Sequence, residues 1–457
     1  MMDGEKKNIL FSLTPIFYLI LSILLFRFVF VIPYPHPFAL CLAGILSYLQ
    51  RYHRNLKFLK SAFRKNLQSV FPAMEILFFV GILIAAWAYS GVLFTMMQIG
   101  TKIIKPEFFL PSLALVSAIA AMVSGSSWTT AGTLGVALMG VSQVLGFADM
   151  MSAGAIVSGC YFGDKLSPLS DTTNLASSLT HVPIWIHIRH MLKTTFISFG
   201  LAVFCFYILN IFVWDPIGNG LLPNENQLSL LLQKKVVVWK LIPVFIVFSS
   251  SFFHLPVRIS FFLGIVSALV FPFLENSLSF GVWHSLAFGY QSQTGVETWD
   301  KFLSGGGISS ILPTEFLIVT AVWFGAVVEG FGYLNEILLR IKIWAKDKFD
   351  ILLSTMGTSF LLNLVTADQY LSLVIPARAF RTLAEEKSIP EKDISRALED
   401  SGTITSPLIP WNSCGAFMAS SLGVSVISFL PFAFFNLIHV SFTISLLYYQ
   451  KIKTKSS

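Results

Sequence analysis

The sequence predicts an all-α polytopic membrane protein of about ten transmembrane helices plus two re-entrant hairpins, arranged as inverted-topology repeats with interrupted helices. Three observations lead there. The 457 residues are 55% hydrophobic and only 12% charged, against about 25% charged in a soluble domain. Membrane-length apolar runs recur along the whole chain, leaving no stretch for a large soluble domain. Finally, two polar strings interrupt such runs with matching Ser-Pro-Leu cores that begin at Ser167 and Ser406, 239 residues apart.

The elements follow in order. Spans are expected at about 9–32 and 37–50, joined to a basic loop at 51–65 that holds Arg51, Arg54, Lys57, Lys60, Arg64 and Lys65 and no acid. Basic loops stay in the cytoplasm, so this loop and Lys6 and Lys7 place the N-terminus inside. The first apolar run is too long for a signal-peptide core and is read as a retained span. A crossing at 70–99 follows, then a hairpin at 107–147 broken by Ser124 to Gly132. Residues 151–180 form a crossing interrupted near Ser167-Pro168. Spans at 195–214, 236–252 and 257–273 leave 215–235 and 275–310 outside. A span at 313–337 ends at Arg340, Lys342, Lys346 and Lys348. A second hairpin at 349–384 turns at Asn363 to Asp368. An interrupted span at 398–420 and a last one at 427–449 leave Lys451, Lys453 and Lys455 inside.

Five segments result: 1–66, an N-terminal helical hairpin with its basic loop; 67–194, the first repeat core; 195–310, linking spans and an external segment; 311–430, the second repeat core; and 431–457, the last span and basic tail. Pro72-Ala73-Met74-Glu75 and Pro313-Thr314-Glu315 open corresponding runs, with their glutamates 240 residues apart. One unit starts inside and the other outside, the arrangement that presents a similar site to either face.

Polar groups at membrane depth require a protein-lined or watery setting, so the two strings mark a site. Proline after serine starts a helix, with Ser167 and Ser406 expected as caps of half-helices. A positive helix end repels a cation. The oxygens must therefore come from the preceding half-helix carbonyls and from Asp171, Thr172 and Asn174. Asp171 is expected to be the exchanging carboxylate and the seat of Na⁺, because a carboxylate in a partly dry site resists standing empty and charged. Asp164 is a second ion ligand, unless Lys165 holds it as a structural pair.

Asp368, with Asn363 and Thr366, marks the tip of the second hairpin. A 239-residue step back reaches Thr129 beside Ser126 and Ser127, so an acidic tip and a hydroxyl-rich tip are expected to face each other. Ser406 and Asn412 contribute from the second string. Glu329 is expected on a proton path, with Glu75, Glu315, Glu399 and Asp400 as pathway or mouth residues, unless Glu399 and Asp400 only pair with Arg396. Lys165 and Arg378 are candidate counter-charges. His187 and His190 have a metal-like spacing but sit among basic residues, which points to a membrane surface instead. Cys41, Cys160, Cys205 and Cys414 are isolated and are read as packing residues. There is no nucleophile elbow, His-Glu-x-x-His helix or nucleotide loop, and Gly305-Gly306-Gly307 lacks the lysine and serine of a phosphate loop. An enzyme is therefore not expected.

The string from Tyr161-Phe162-Gly163-Asp164-Lys165-Leu166-Ser167-Pro168 to Leu169-Ser170-Asp171-Thr172-Thr173-Asn174 resembles the signature of NhaC-type Na⁺/H⁺ antiporters. So do Gly125-Ser126-Ser127-Trp128-Thr129-Thr130-Ala131-Gly132-Thr133-Leu134-Gly135, Asp368-Gln369-Tyr370-Leu371-Ser372, and Leu398 to Thr403 with Pro410-Trp411-Asn412. The resemblance spans about residues 70–440. It implies a secondary transporter of the broad ion-transporter superfamily, with inverted repeats and paired hairpins. Two departures stand out: only glycines follow Ser304 where the family often carries a basic residue, and Cys160 replaces a residue that is usually alanine.

The expected activity is exchange of Na⁺ for H⁺ by alternating access, in a multi-pass protein of the cell (inner) membrane with both termini cytoplasmic. The alternative is Na⁺- or H⁺-coupled transport or exchange of a small carboxylate such as malate or lactate. No cofactor is implied beyond the transported ions. The bilayer, Na⁺ and H⁺ are the expected partners, nucleic acid is not, and a homodimer is left open.

Overall fold

A computed structural model describes residues 9–51, 56–213, 237–277, 279–293, 295, 300 and 303–456. Lys6, Lys7, Arg54 and the expected external loop 215–235 lie outside the described residues.

Secondary structure is helical throughout the described residues apart from one isolated antiparallel bridge, Tyr290 to Gly305. Helix α1 (Thr14–Leu24) and α2 (His36–Gln50) form the expected N-terminal hairpin. Helix α3 (Leu56–Ser90) follows, and its 35 residues span roughly 52 Å at 1.5 Å each. The basic stretch is thus largely helix: lysine and arginine are good helix formers, and Pro72 lies inside α3 rather than opening it. Gly91, at φ 78°, ends that run where a single crossing to residue 99 was expected, and α4 (Val92–Ile103) begins. Gly332, also at φ 78°, separates α14 (Ile308–Gly330) from α15 (Tyr333–Trp344) in the same way.

Between these pairs come α5 (Phe109–Ser124), α6 (Ser127–Thr130), a π turn over Ala131–Gly135, and α7 (Val136–Val144). Helix α8 (Asp149–Leu166) and α9 (Asp171–Leu179) flank the first break. Helix α10 (Ile184–Val213) starts about ten residues before the expected span, so Arg189 and Lys193 ride on its first turns. Then come α11 (Ile242–Phe252), α12 (Val257–Leu274) and α13 (Gly281–Phe288). After α15, α16 (Lys348–Thr366) and α17 (Gln369–Glu386) make the second hairpin. Helix α18 (Glu391–Leu398) runs into a π turn (Glu399–Thr403), and beyond the second break lie α19 (Ser413–Leu422) and α20 (Phe434–Ser456).

Six described helices are long and apolar enough to cross a membrane: Leu56–Ser90, Pro106–Ser124, Ile184–Val213, Val257–Leu274, Ile308–Gly330 and Lys348–Thr366. A seventh is Ser413–Leu422 with Val426–Phe432, bent by 86°. Six or seven is fewer than ten. Breaks at glycine, proline and polar residues cut other runs into pieces such as Thr14–Val29, Val92–Ile103 and Val238–Phe252.

Helices α3 and α14 lie against each other and run antiparallel. The Gly307 N–H donates to the Gly81 carbonyl at 2.7 Å, near one end. Lys65 pairs with Glu329 at 2.7 Å, near the other. Helix α8 packs equally closely on α5 through Gly159 and Gly163, one turn apart. A Cβ on either would collide with a carbonyl of Ala114 or Ala118. Small residues at this spacing let membrane helices approach backbone to backbone. The result fixes the first polar string against the first hairpin.

Candidate ion-binding site

Each hairpin turns by the same local chemistry. Gly125 (φ 68°) and Ala367 (φ 58°) adopt the left-handed conformation that ends a helix. The next residue, Ser126 or Asp368, caps the returning helix by accepting from the N–H of Thr129 or Leu371. The tips therefore correspond at 242 residues, and Ser126 rather than Thr129 is the counterpart of Asp368. The breaks differ from expectation in a related way. Ser170 and Asn412, not Ser167 and Ser406, cap the resumed helices. Pro168 lies in the irregular link and Pro407 in a 3-10 turn. Ser167 instead donates to the Met122 carbonyl at 2.9 Å, and Ser406 to that of Thr403 at 2.8 Å.

Tips and breaks interlock within each half. Ser127 donates to one Asp164 oxygen from its backbone N–H (3.1 Å) and its hydroxyl (2.6 Å). Gly125 meets the Leu169 backbone so closely that any Cβ would clash. In the second half, the Ser413 N–H donates to the Ala367 carbonyl at 2.9 Å. Asn363 donates to the Gly402 carbonyl (2.7 Å) and the Thr405 hydroxyl (3.0 Å), and accepts from Asn412 at 3.1 Å. Thr366 turns inward onto the Leu362 carbonyl at 2.8 Å.

The halves also meet each other. The Thr172 hydroxyl donates to Glu399 at 3.2 Å, and the wholly buried Lys165 ammonium reaches Asp400 at 2.6 Å. Trp128 stacks on Phe417 of α19, with centroids 4.3 Å apart. Asp164 therefore is not paired with its neighbour Lys165; the lysine points to the other half.

Around this junction, the buried Asp164 Oδ1, Glu399 Oε2 and Thr129 Oγ1 lack a well-formed hydrogen bond among the described residues, while the Thr403 hydroxyl approaches Glu399 and the Tyr161 hydroxyl approaches Ser406 and Cys414. Asp164 lies within electrostatic reach of Glu399 and Tyr161, and Thr403 lies beside Glu399. An orphan buried oxygen is costly, and carboxylates with hydroxyls form the donor set of a hard monovalent cation.

Asp171 is exposed, at the first position of α9, while Asp164 and Glu399 are buried. Tyr370, whose ring is also exposed in part, lies within electrostatic reach of Asp171, Asp368 and Asp164. Asn174 donates to the Pro168 and Ser170 carbonyls, both at 2.8 Å, and so shapes the break. Asp368 is buried at its cap position beside Ser69.

Asp400 accepts from Lys165, His439 (2.9 Å), Arg396 (3.0 Å) and Thr443 (2.9 Å). It is saturated inside the protein rather than open at a mouth. Glu75 pairs with Arg258 at 3.2 Å, and Glu329 with Lys65. Glu315 is buried on α14 with both oxygens lacking partners among the described residues. Arg378 is exposed, ten residues (about 15 Å of helix) from the Asp368 cap, and does not join the junction. His187 is buried on Ser395 at 2.7 Å rather than at a surface, and His190 pairs with Asp393 at 2.9 Å. All four cysteines are free, with Cys160 and Cys414 buried.

Sequence reasoning did not single out Tyr161 and Thr403, though both lie in the polar strings, and it missed His439 and Ser69. His439 lies 39 residues from the Asp400 it contacts.

Comparison with known proteins identifies the family. The Na⁺/H⁺ antiporter family profile matches residues 159–451. The Na⁺/H⁺ antiporter NhaC of Alkalihalophilus pseudofirmus is 36% identical over 411 residues, covering 88% of this chain and 87% of that protein. The arginine/ornithine antiporter ArcD of Halobacterium salinarum is 36% identical over 369 residues, 80% of this chain and 76% of its own length. The malate-2H⁺/Na⁺-lactate antiporter of Bacillus subtilis is 31% identical over 398 residues, 85% and 83% of the two chains. A multi-pass helical chain matched this extensively is a transporter and not an enzyme, and it belongs to the NhaC-type Na⁺/H⁺ antiporter family.

Proposed function

We propose that this transporter exchanges Na⁺ for H⁺ across the cell membrane by alternating access, with the ion held between Asp164 and Glu399. The observation that carries the reading is the set of buried, unpartnered oxygens at the junction of the two halves. The Asp164 and Glu399 carboxylates, aided by Thr129, Thr403 and Tyr161, take either the metal ion or a proton, because neither acid is comfortable empty in a dry site. Mutually exclusive occupancy then couples the two fluxes. Asp171, exposed beside Tyr370, receives the ion at the entrance, and Asp368 with Thr366 and Asn363 shapes the second tip.

The antiparallel contact of α3 with α14, and tips built alike 242 residues apart, support two inverted repeats at 67–194 and 311–430. Counting broken helices as crossings gives ten spans and two hairpins. The short basic clusters then fall on the cytoplasmic side with both termini. Glu315, Glu329 and Glu75 line the α3–α14 seam as a proton route.

In proteoliposomes of the purified chain, an imposed Na⁺ gradient should drive protons the opposite way, and Asp164→Asn and Glu399→Gln should each shift this to far higher Na⁺ concentrations. The arginine/ornithine and malate/lactate relatives keep organic substrates as the second reading. Uptake of labelled malate or lactate with no Na⁺-driven proton movement would replace the first reading with the second.

A further inference from the structure

Lys165 is an unusual charge among the described residues: a lysine with no exposed surface, on a buried helix, one residue from Asp164. Its ammonium lies 2.6 Å from Asp400 Oδ1 and 3.3 Å from the Met191 sulfur. Asp400 does not need the lysine for satisfaction alone, since His439, Arg396 and Thr443 already donate to it. A buried lysine next to an already satisfied carboxylate calls for an explanation beyond local pairing.

Charge bookkeeping over the whole junction supplies one. The buried charged groups packed together there are the carboxylates of Asp164, Glu399 and Asp400 and the cations of Lys165 and Arg396; Asp171, also within electrostatic reach of Asp164, is exposed and stands outside the count. Glu399 lies within reach of both Lys165 and Asp164. His439 engages Ser198 through Nδ1 and Asp400 through Nε2, and as a neutral imidazole it adds no charge. Asp368 belongs to a separate cap, where the N-terminal amides of α17 offset it. Three carboxylates against two cations leave one unit of negative charge in a water-poor volume. The free oxygens are on Asp164 and Glu399, with which neither Lys165 nor Arg396 forms an ion pair.

We propose that Lys165 is a specificity-determining residue: it fixes the empty junction at a single negative charge, so that the cargo is one monovalent cation or one proton and divalent ions are rejected. This rests on the Asp164–Glu399 seat described above and adds to it the rule that selects charge. Ligand geometry alone would not make that selection, because Ca²⁺ and Na⁺ are similar in size and both take oxygen ligands. The balance of fixed charge separates them. Since Lys165 sits on α8 and Asp400 on the opposite half, the selecting charge is present when the halves are closed on each other.

The test is a charge ladder on the purified full chain in detergent and in proteoliposomes, with Na⁺ and Ca²⁺ as probes. In wild type, Na⁺ should raise the melting temperature and drive proton flux, and Ca²⁺ should do neither. Lys165→Met should invert the preference, with Ca²⁺ stabilising at least tenfold lower concentrations than Na⁺ and inhibiting residual exchange. The double variant Lys165→Met with Asp400→Asn restores the single negative charge and should return to Na⁺, as should Lys165→Arg. Retention of the wild-type Na⁺ to Ca²⁺ ratio in Lys165→Met overturns the proposal, and so does failure of the double variant to recover it. Should Lys165→Met not fold, Asp400→Asn alone leaves no net charge and should lose its response to Na⁺; an unchanged Na⁺ response there is equally fatal. A wild-type protein that exchanges Na⁺ for H⁺ while the ladder fails removes only the charge rule. A wild-type protein that binds no Na⁺ removes the seat and the rule together.

Discussion

Replacing Asp164 with asparagine separates the buried seat from the exposed entrance. One Asp164 oxygen is committed to Ser127, and the other has no partner among the described residues. An asparagine oxygen still accepts from Ser127, so the tip should keep its shape and the protein should be made in normal yield. What is lost is the charge facing the ion. Unit charges about 2.5 Å apart attract by roughly 6–7 kcal/mol at an effective dielectric of 20. If the amide dipole recovers about half, a loss near 3 kcal/mol remains, or about a hundredfold in Na⁺ affinity. Asp171 is exposed, and screened carboxylates contribute about 0.2–1 kcal/mol, so Asp171→Asn should weaken Na⁺ less than about fivefold. Both variants can be read from Na⁺ titrations of proton flux in dye-loaded proteoliposomes. A hundredfold effect at Asp171 with a fivefold effect at Asp164 would reverse the assignment and restore the acid that the sequence alone favoured.

Further outcomes can be checked on the purified protein. Gly163→Leu should not fold, because a side chain there drives into the Ala118 carbonyl; Gly163→Ala should lose roughly 1–3 kcal/mol, measured as a lower melting temperature. Trp128→Ala removes the stack on Phe417 and should cost about 3 kcal/mol, while Trp128→Phe keeps most of it. Asp393 lies in the first turn of α18, outside the helices long and apolar enough to cross a membrane. Burial would push its carboxyl up, but His190 and Lys348 hold it down at about 2. Its folded value is below the unfolded one, so its contribution is present above about pH 4 and disappears as the pH falls towards 2. Asp393→Asn should therefore lower stability by about 2 kcal/mol at pH 7, and the gap to wild type should close on acidification.

Much of the architecture was legible because hydrocarbon imposes simple rules. Apolar length marks spans, and polar strings inside them mark places where the protein must shield its own backbone. Glycine and serine at residues 125 and 126, and serine-proline pairs at 167 and 406, were visible for that reason. Helix continuity was less legible. A basic stretch reads as a loop, yet Lys57 to Lys65 extend α3 by several turns, since membrane depth and helix propensity are separate properties. The caps also shifted by a few residues, because Ser170 and Asn412 compete with the serines before each proline and only backbone geometry decides between them.

The amino-acid order by itself determined that the chain is a helical membrane protein, that two stretches 239 residues apart share a Ser-Pro-Leu core, and that the acids, amides and hydroxyls of the polar strings are the candidate site. Only the tertiary structure decided that Asp164 and Glu399 are buried while Asp171 is exposed, that Lys165 reaches across to Asp400 rather than to its neighbour, and that Tyr161 and Thr403 lie beside the buried acids. The physical reason is that solvation and pairing energies depend on which helices touch, and contacts between residues more than two hundred positions apart leave no local trace in the pattern of side chains.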